Sequence, residues 1–198
     1  MKKFSNLTYM AVCLALIVSC HAQPDGQTDS MNTELVLFDF NDGSAGSGWK
    51  SVNDTVMGGV SNSRMTTSDT GHALFTGSVS LENNGGFASV RGPNFSNRLG
   101  GYRGIAVRVR GDGKTYKVGL RTDELFDGVF HQASFATKKG EWQEIQIPFT
   151  DFIPTYHGRR LSEDKRMAPD EIRSVSFLIS DKQAGPFQLE IDRIEAYR

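Results

Sequence analysis

The chain is poor in cysteine, and its two cysteines, Cys13 and Cys20, both fall within the first twenty residues. Beyond them no thiol is available to close a disulfide, ligate zinc or act as a nucleophile, so a folded domain must draw its stability from a packed core. Histidine is nearly as scarce. His21, His72, His131 and His157 are scattered, without the His-Glu-x-x-His spacing that sets two metal ligands on one helical face. The Gly-x-Ser-x-Gly elbow of serine hydrolases is missing. The glycines from Gly43 to Gly48 do not open a helix after a buried strand, which argues against a dinucleotide site. An excess of one charge is lacking too: 22 Lys and Arg face 23 Asp and Glu, a balance that argues against non-specific nucleic-acid binding. These absences do not touch enzymes whose Asp and Glu converge from distant loops, so a glycoside hydrolase stays open.

What is present begins with a leader. Lys2 and Lys3 precede an apolar run over 9–18 that is short for a membrane span, the pattern of a signal peptide. Two cleavage readings follow. Ile17-Val18-Ser19-Cys20 resembles a bacterial lipobox in which Cys20 becomes the lipidated first residue, whereas Cys20-His21-Ala22 suits ordinary signal peptidase. The lipoprotein reading is preferred, giving a signal peptide over 1–19, a polar tether over 20–33 and a folded domain over 34–198. It predicts an exported protein held at the cell envelope or periplasm by a lipid anchor. About 165 residues remain for the domain, enough for one core burying roughly 70% of the unfolded surface.

From Leu35 onward apolar residues recur with a period of two, interrupted by Gly, Asn, Asp and Pro, which reads as an all-β sandwich or barrel. The alternation predicts strands over 35–40, 73–81, 86–91, 104–110, 116–121, 129–136, 142–148, 174–179 and 187–197, with one helical turn over 169–173. Ile105, Val107 and Val109 alternate with polar residues, as do Tyr116, Val118 and Leu120, around the turn dipeptide Asp112-Gly113. This predicts a hairpin pairing Val109 with Tyr116 and Val107 with Val118, with Arg108 opposite Lys117. Its polar face then carries Arg108, Arg110, Lys117 and Arg121. Either Glu144 or Glu190 on a neighbouring strand offsets these charges, or they form a cationic concave face for an acidic or polyhydroxy partner. The last strand loses phase between Ile191 and Ile194, which predicts a bulge near Asp192-Arg193.

Two segments stand out. Trp49 to Ser61 reads as a strand feeding the Gly58-Gly59 turn, with Asn53 and Asp54 suited either to holding loop backbone or to contacting a ligand. Phe75-Thr76-Gly77-Ser78-Val79 continues through Asn83-Asn84-Gly85-Gly86-Phe87 to Arg91. Together with Gly104-Ile105 to Gly113, Tyr116 to Asp123, Trp142 to Phe149, Ser176-Phe177 and Phe187 to Ile194, these segments closely resemble the complex I intermediate-associated protein 30 family. The resemblance covers roughly 35–197. It implies a galactose-binding-domain-like jelly roll, similar to several carbohydrate-binding modules, and in mitochondrial members a non-catalytic role helping respiratory complex I assemble.

That resemblance sets the functional expectations. No residue acquires a catalytic role. A protein partner or complex subunit is the leading ligand, and carbohydrate the alternative. Candidate contact residues are Asn53, Asp54, Asn83, Asn84, Phe87, Arg91, Arg108, Arg110, Arg121 and Trp142. Phe87, Ser89 and Arg91 face outward if Ala88 and Val90 face in, and Trp142 does so if Ile145 and Ile147 face in. No cofactor is expected, except that similar jelly rolls often hold a calcium ion between their first and last strands, for which Asp39 and Asp192 are the candidates.

Overall fold

The computed structural model describes residues 34–41, 47–123 and 128–198, all within the compact unit Asn32–Arg198. The leader, Cys20 and the tether lie outside the described residues. Regular structure in the described residues consists of strands and short 3-10 turns, among them one over Pro169–Glu171 where the helical turn was expected.

Two antiparallel sheets pack face to face. The first contains β1 (Leu35–Asp39), β3 (Asn62–Thr67), β4 (Ala73–Val79), β6 (Gly104–Gly111), β9 (Trp142–Pro148) and β13 (Gly185–Tyr197). Its order is β3-β4-β13-β6-β9, and β1 also pairs with β13. The second contains β2 (Lys50–Ser51), β5 (Ala88–Arg91), β7 (Thr115–Arg121), β8 (Phe130–Ala136), β10 (Ile153–Tyr156), β11 (Arg159–Arg160) and β12 (Ser174–Ile179). Its order is β11-β10-β8-β7-β12-β5-β2. Alternate residues of both sheets meet in a core that includes Phe75, Tyr116, Phe152, Phe177, Ile105 and Ile191.

The expected bulge is present. Pairing of β13 with β6 shifts between Ile191 and Arg193, and the amide of Phe40 donates to the Asp192 carbonyl at 3.0 Å. There β13 exchanges one neighbour for another: Gly185–Ile191 pairs with β4, and Arg193–Ala196 with β1.

The expected hairpin around Asp112 does not form. β6 pairs with β13 and β9 in one sheet, while β7 pairs with β8 and β12 in the other. Both strands do bury their apolar alternation, but against each other across the core rather than side by side. Asp112 secures this crossover. Its carboxylate accepts the amides of Lys114 (3.1 Å) and Gln188 (3.0 Å) and meets the Tyr116 hydroxyl at 2.9 Å. Burial and the Asp112 charge together push the Tyr116 phenol well above its ordinary range. The split also parts the supposed cationic face: Arg108 and Arg110 lie on one sheet, Lys117 and Arg121 on the other.

Candidate functional site

Of the two readings of Asn53 and Asp54, the structure shows the one in which their side chains hold loop backbone, as a latch. Asn53 and Asp54 sit where the 3-10 turn Asp54–Met57 begins, and Asp54 is fully buried. Its carboxylate accepts the amides of Ser61 (2.9 Å), Gly86 (2.7 Å) and Phe87 (3.2 Å) as well as the Ser61 hydroxyl. Burial pushes this carboxyl up, but the four hydrogen bonds outweigh it and hold it below the usual carboxylate range. Asn53 makes the neighbouring tie, its side-chain oxygen accepting from the Ser63 hydroxyl (2.6 Å) and the Ser89 amide (3.1 Å). The glycines around it are set by this carboxylate: a Cβ at Gly59 would lie 2.4 Å from the Asp54 carboxyl carbon, and one at Gly85 would lie 2.6 Å from an Asp54 oxygen. Asn83 and Asn84 lie in the neighbouring turn over Glu82–Asn84. Both are exposed and adopt left-handed φ of 53° and 60°, a conformation that asparagine tolerates better than most side chains.

Arg108, Arg110 and Trp142 belong to a second structural assembly on the outer face of the β4-β13-β6-β9 sheet. Arg108 pairs with Asp192 at 2.6 Å and Arg110 with Glu190 at 2.7 Å, while Arg193 meets Asp192, Glu144 and Glu195 at 3.1, 3.2 and 3.0 Å. Both Arg108 and Arg110 guanidinium groups lie about 5 Å from the Trp142 ring, and the His72 ring meets it edge-on at 4.9 Å. The indole is thus half-buried, with two cations packed against its ring. Glu190 offsets Arg110 and Glu144 offsets Arg193 here, in line with the expectation that acidic residues of neighbouring strands balance this face.

The same lattice engages Asp192, one of the two calcium candidates. Asp192 is almost fully buried and directs its carboxylate at Arg108, Arg193 and His72. Burial raises its carboxyl, but Arg108, Asn41 and His72 together hold it below the ordinary range. Asp39 is exposed and accepts from Asn41. Among the described residues no three His, Cys, Asp or Glu side chains gather in a metal cage. Asp192→Ala is expected to cost about 1–2 kcal/mol by chemical denaturation, since its arginine partners are part-exposed and re-solvate on its removal.

A cleft remains on the outer face of the second sheet. Its volume is about 580 Å³, within the ligand-pocket range, and Val56, Met57, Phe87, Phe130 and Leu178 supply apolar lining. Outward residues of successive strands form the floor in register: Arg91, Ser176 and Gln132 in one row, with Gly119 beneath the Phe130 ring between the last two, and Ser89, Leu178 and Lys117 in the next. Phe87, Ser89 and Arg91 do face outward beside buried Ala88 and Val90. The Phe130 ring lies across Gly119, where a Cβ would come within 1.9 Å of it, and the Arg121 guanidinium sits 5.0 Å from the same ring. Exposed Val56 and Met57 of the latch turn complete the wall beside Phe87.

Of the expected contact residues the cleft thus gathers Phe87, Arg91 and Arg121. It adds Met57, Lys117, Phe130, Gln132 and Thr155. Lys117 was legible as one of four cations on the polar face of the expected hairpin; Phe130 and Thr155 carried no signal, because their convergence depends on the pairing of β8 with β7 and β10. Burial lowers the Arg91 guanidinium below its usual range against the opposing pull of Asp123. Asp181, the carboxylate among the described lining residues, pairs with Lys117 at 2.9 Å. No second carboxylate stands opposite it among those residues, so the spacing of a glycoside hydrolase pair is not present there.

In fold the chain is similar to a family 11 carbohydrate-binding module from Clostridium thermocellum, solved with a β-1,3-1,4-mixed-linked tetrasaccharide. The TM-score is 0.61 at 17% identity, over 83% of this chain and 95% of that one. This is the expected jelly-roll, galactose-binding-like sandwich. Among sequence relatives, the mitochondrial complex I intermediate-associated protein 30 of Mus musculus is 36% identical over 97 residues, covering 47% of this chain and 30% of its own length. The Drosophila melanogaster protein of that name is 26% identical over 191 residues, covering 85% of this chain and 62% of its own. The chain therefore spans less than two thirds of the length of these relatives. Both are named mitochondrial, and this overturns the expectation of an exported cell-envelope lipoprotein. A basic, apolar leader marks a targeting segment, but its composition alone does not fix the address. The model of the complex I intermediate-associated protein 30 family matches residues 38–191, and the chain belongs to that family.

Proposed function

We propose that this protein is a non-catalytic binding module that holds a protein partner, a subunit or assembly intermediate of a respiratory complex, in the cleft of its second sheet. Family membership supports the kind of partner. The cleft lining carries the choice of surface. It combines apolar walls with Arg91, Lys117 and Arg121, and among the described residues no tryptophan or tyrosine lines it. Sugar recognition favours an aromatic face open to a pyranose ring, and the Phe130 face is shared between Gly119 and Arg121.

A photo-crosslinking residue in place of Leu178, on the cleft floor, is expected to capture a respiratory-complex subunit in extracts of the source cells. The same residue at the exposed Gln146, on the opposite sheet, is expected to capture none. Loss of the product at Leu178, or equal capture at both sites, refutes the assignment of the cleft.

A further inference from the structure

We infer that β9 is a self-association edge: a second copy of this chain adds its own β9 there, antiparallel about a two-fold axis at Ile145, joining the first sheets of the two copies into one continuous sheet.

An outermost strand carries unpaired amides and carbonyls, and proteins blunt such edges by shortness, bulges, cover or lysines. The other edges here are blunted. β2 and β11 are two residues long, and the pairing of β1 shifts between Val36 and Phe38. β3 is tied toward the second sheet, its Ser63 carbonyl accepting from the Ser51 hydroxyl at 2.6 Å. β9 has none of these guards. Among the described residues no strand lies beyond it, and its pairing with β6 runs in unbroken register from Trp142 to Pro148. It holds no lysine, and its one proline is its last residue.

One hydrogen bond fixes which backbone groups face outward. The Phe149 amide donates to the Arg103 carbonyl at 2.9 Å, and Pro148 has no amide hydrogen, so Gly104 and Pro148 form a non-hydrogen-bonded pair. Alternation then turns the amides and carbonyls of Gln143, Ile145 and Ile147 toward β6. Those of Trp142, Glu144 and Gln146 point away from the sheet.

The side chains select the partner and the register. A two-fold axis at Glu144 would set two carboxylates against each other. An axis at Gln146 would oppose Glu144 to Pro148, which cannot donate. With the axis at Ile145, exposed Glu144 lies opposite the second copy's exposed Gln146. Their backbones exchange amide-to-carbonyl bonds in both directions, and the Gln146 carboxamide donates to the Glu144 carboxylate, which keeps Arg193 at 3.2 Å. Half-buried Trp142 meets half-buried Pro148 on the outer face, and half-buried Ile145 meets its own copy on the core-facing side. A contact one strand wide lies at the small end of specific interfaces, so the dimer is weak and depends on concentration.

The test uses the full chain with Cys13 and Cys20 replaced by serine, mildly oxidised and read on non-reducing gels. Cα atoms of a non-hydrogen-bonded antiparallel pair lie about 4.5 Å apart, within disulfide reach. Ile145→Cys is therefore expected to give a disulfide-linked dimer. Gln143→Cys is expected to give none, because the two copies of that residue stand about 14 Å apart in this register. Adding Gln146→Pro to Ile145→Cys removes an outward amide without touching the β6 ladder, and is expected to lower the dimer yield about 5-fold. Gln146→Glu faces Glu144 with a like charge and is expected to lower it similarly, less so at high salt. Thermal midpoints establish that each variant is folded. If Ile145→Cys unfolds, a photo-crosslinking residue at Gln146 replaces it and is expected to join the Glu144 peptide of a second copy. That product is this chain and not a respiratory-complex subunit, so it leaves the reading of the cleft untouched.

A folded Ile145→Cys variant that forms no dimer overturns the inference. So does equal dimer from Gln143→Cys, or a yield that Gln146→Pro leaves unchanged. Capture of a different protein at Gln146 in place of a second copy overturns it as well, and would assign the edge to a foreign strand.

Discussion

Asp54→Ala is expected to destabilise the domain by about 3–4 kcal/mol, seen as a lower denaturant midpoint with an unchanged slope. The substitution strands three amides, those of Ser61, Gly86 and Phe87, that now donate to one buried carboxylate. Each unsatisfied buried donor costs on the order of 1–3 kcal/mol, and partial rearrangement of exposed loop residues recovers some of the sum. Asp54→Asn is no remedy, because its amide group must point a donor at donors. The pH dependence has a definite sign. With the folded-state carboxyl held below its ordinary range, the contribution of Asp54 is fully present above about pH 4 and declines as pH falls through the folded-state value. The stability gap between wild type and Asp54→Asn should therefore narrow in acid. A gap that widens below pH 4 would contradict the latch.

Gly77→Ala is expected to cost about 3 kcal/mol, although alanine favours neither a turn nor a charge there. A Cβ at Gly77 would lie 2.0 Å from the carbonyl oxygen of Asn62 and 2.8 Å from the Cα of Ser63, both backbone atoms of the paired strand. No side-chain rotation relieves such a contact. β3 must move away from β4, and with it Ser61 and Ser63, which hold Asp54 and Asn53. The two substitutions act on one unit, so the double variant should lose less than the sum of its parts. Strict additivity, measured by a denaturation cycle, would show that the β3 edge and the latch are independent.

How much was legible can be judged from particular strands. β12 and β13 were readable from their alternation, and the bulge at Asp192 from the loss of phase after Ile191. β3 was not predicted, because Asn-Ser-Arg-Met-Thr-Thr offers one large apolar residue to an edge with little core to cover. β10 was hidden by Pro154, which a sheet interior does not favour. Of the candidate contacts, Phe87, Arg91 and Arg121 line one cleft, whereas Arg108, Arg110 and Trp142 lie on the other sheet, because β6 and β7 belong to different sheets.

Sequence by itself determined the fold class and the inward and outward face of most strands, because a period of two fixes which side chains must leave water, and its motif segments carried the resemblance to the family. Tertiary structure alone decided which outward faces share a surface. A local pattern fixes only the face of its own strand. Pairing partners are chosen by non-local hydrogen bonds and by core packing, and here these sent Asp54 to the interior as a latch, Arg108 and Arg110 to an ion lattice around Trp142, and Arg121 with Phe130 to the cleft.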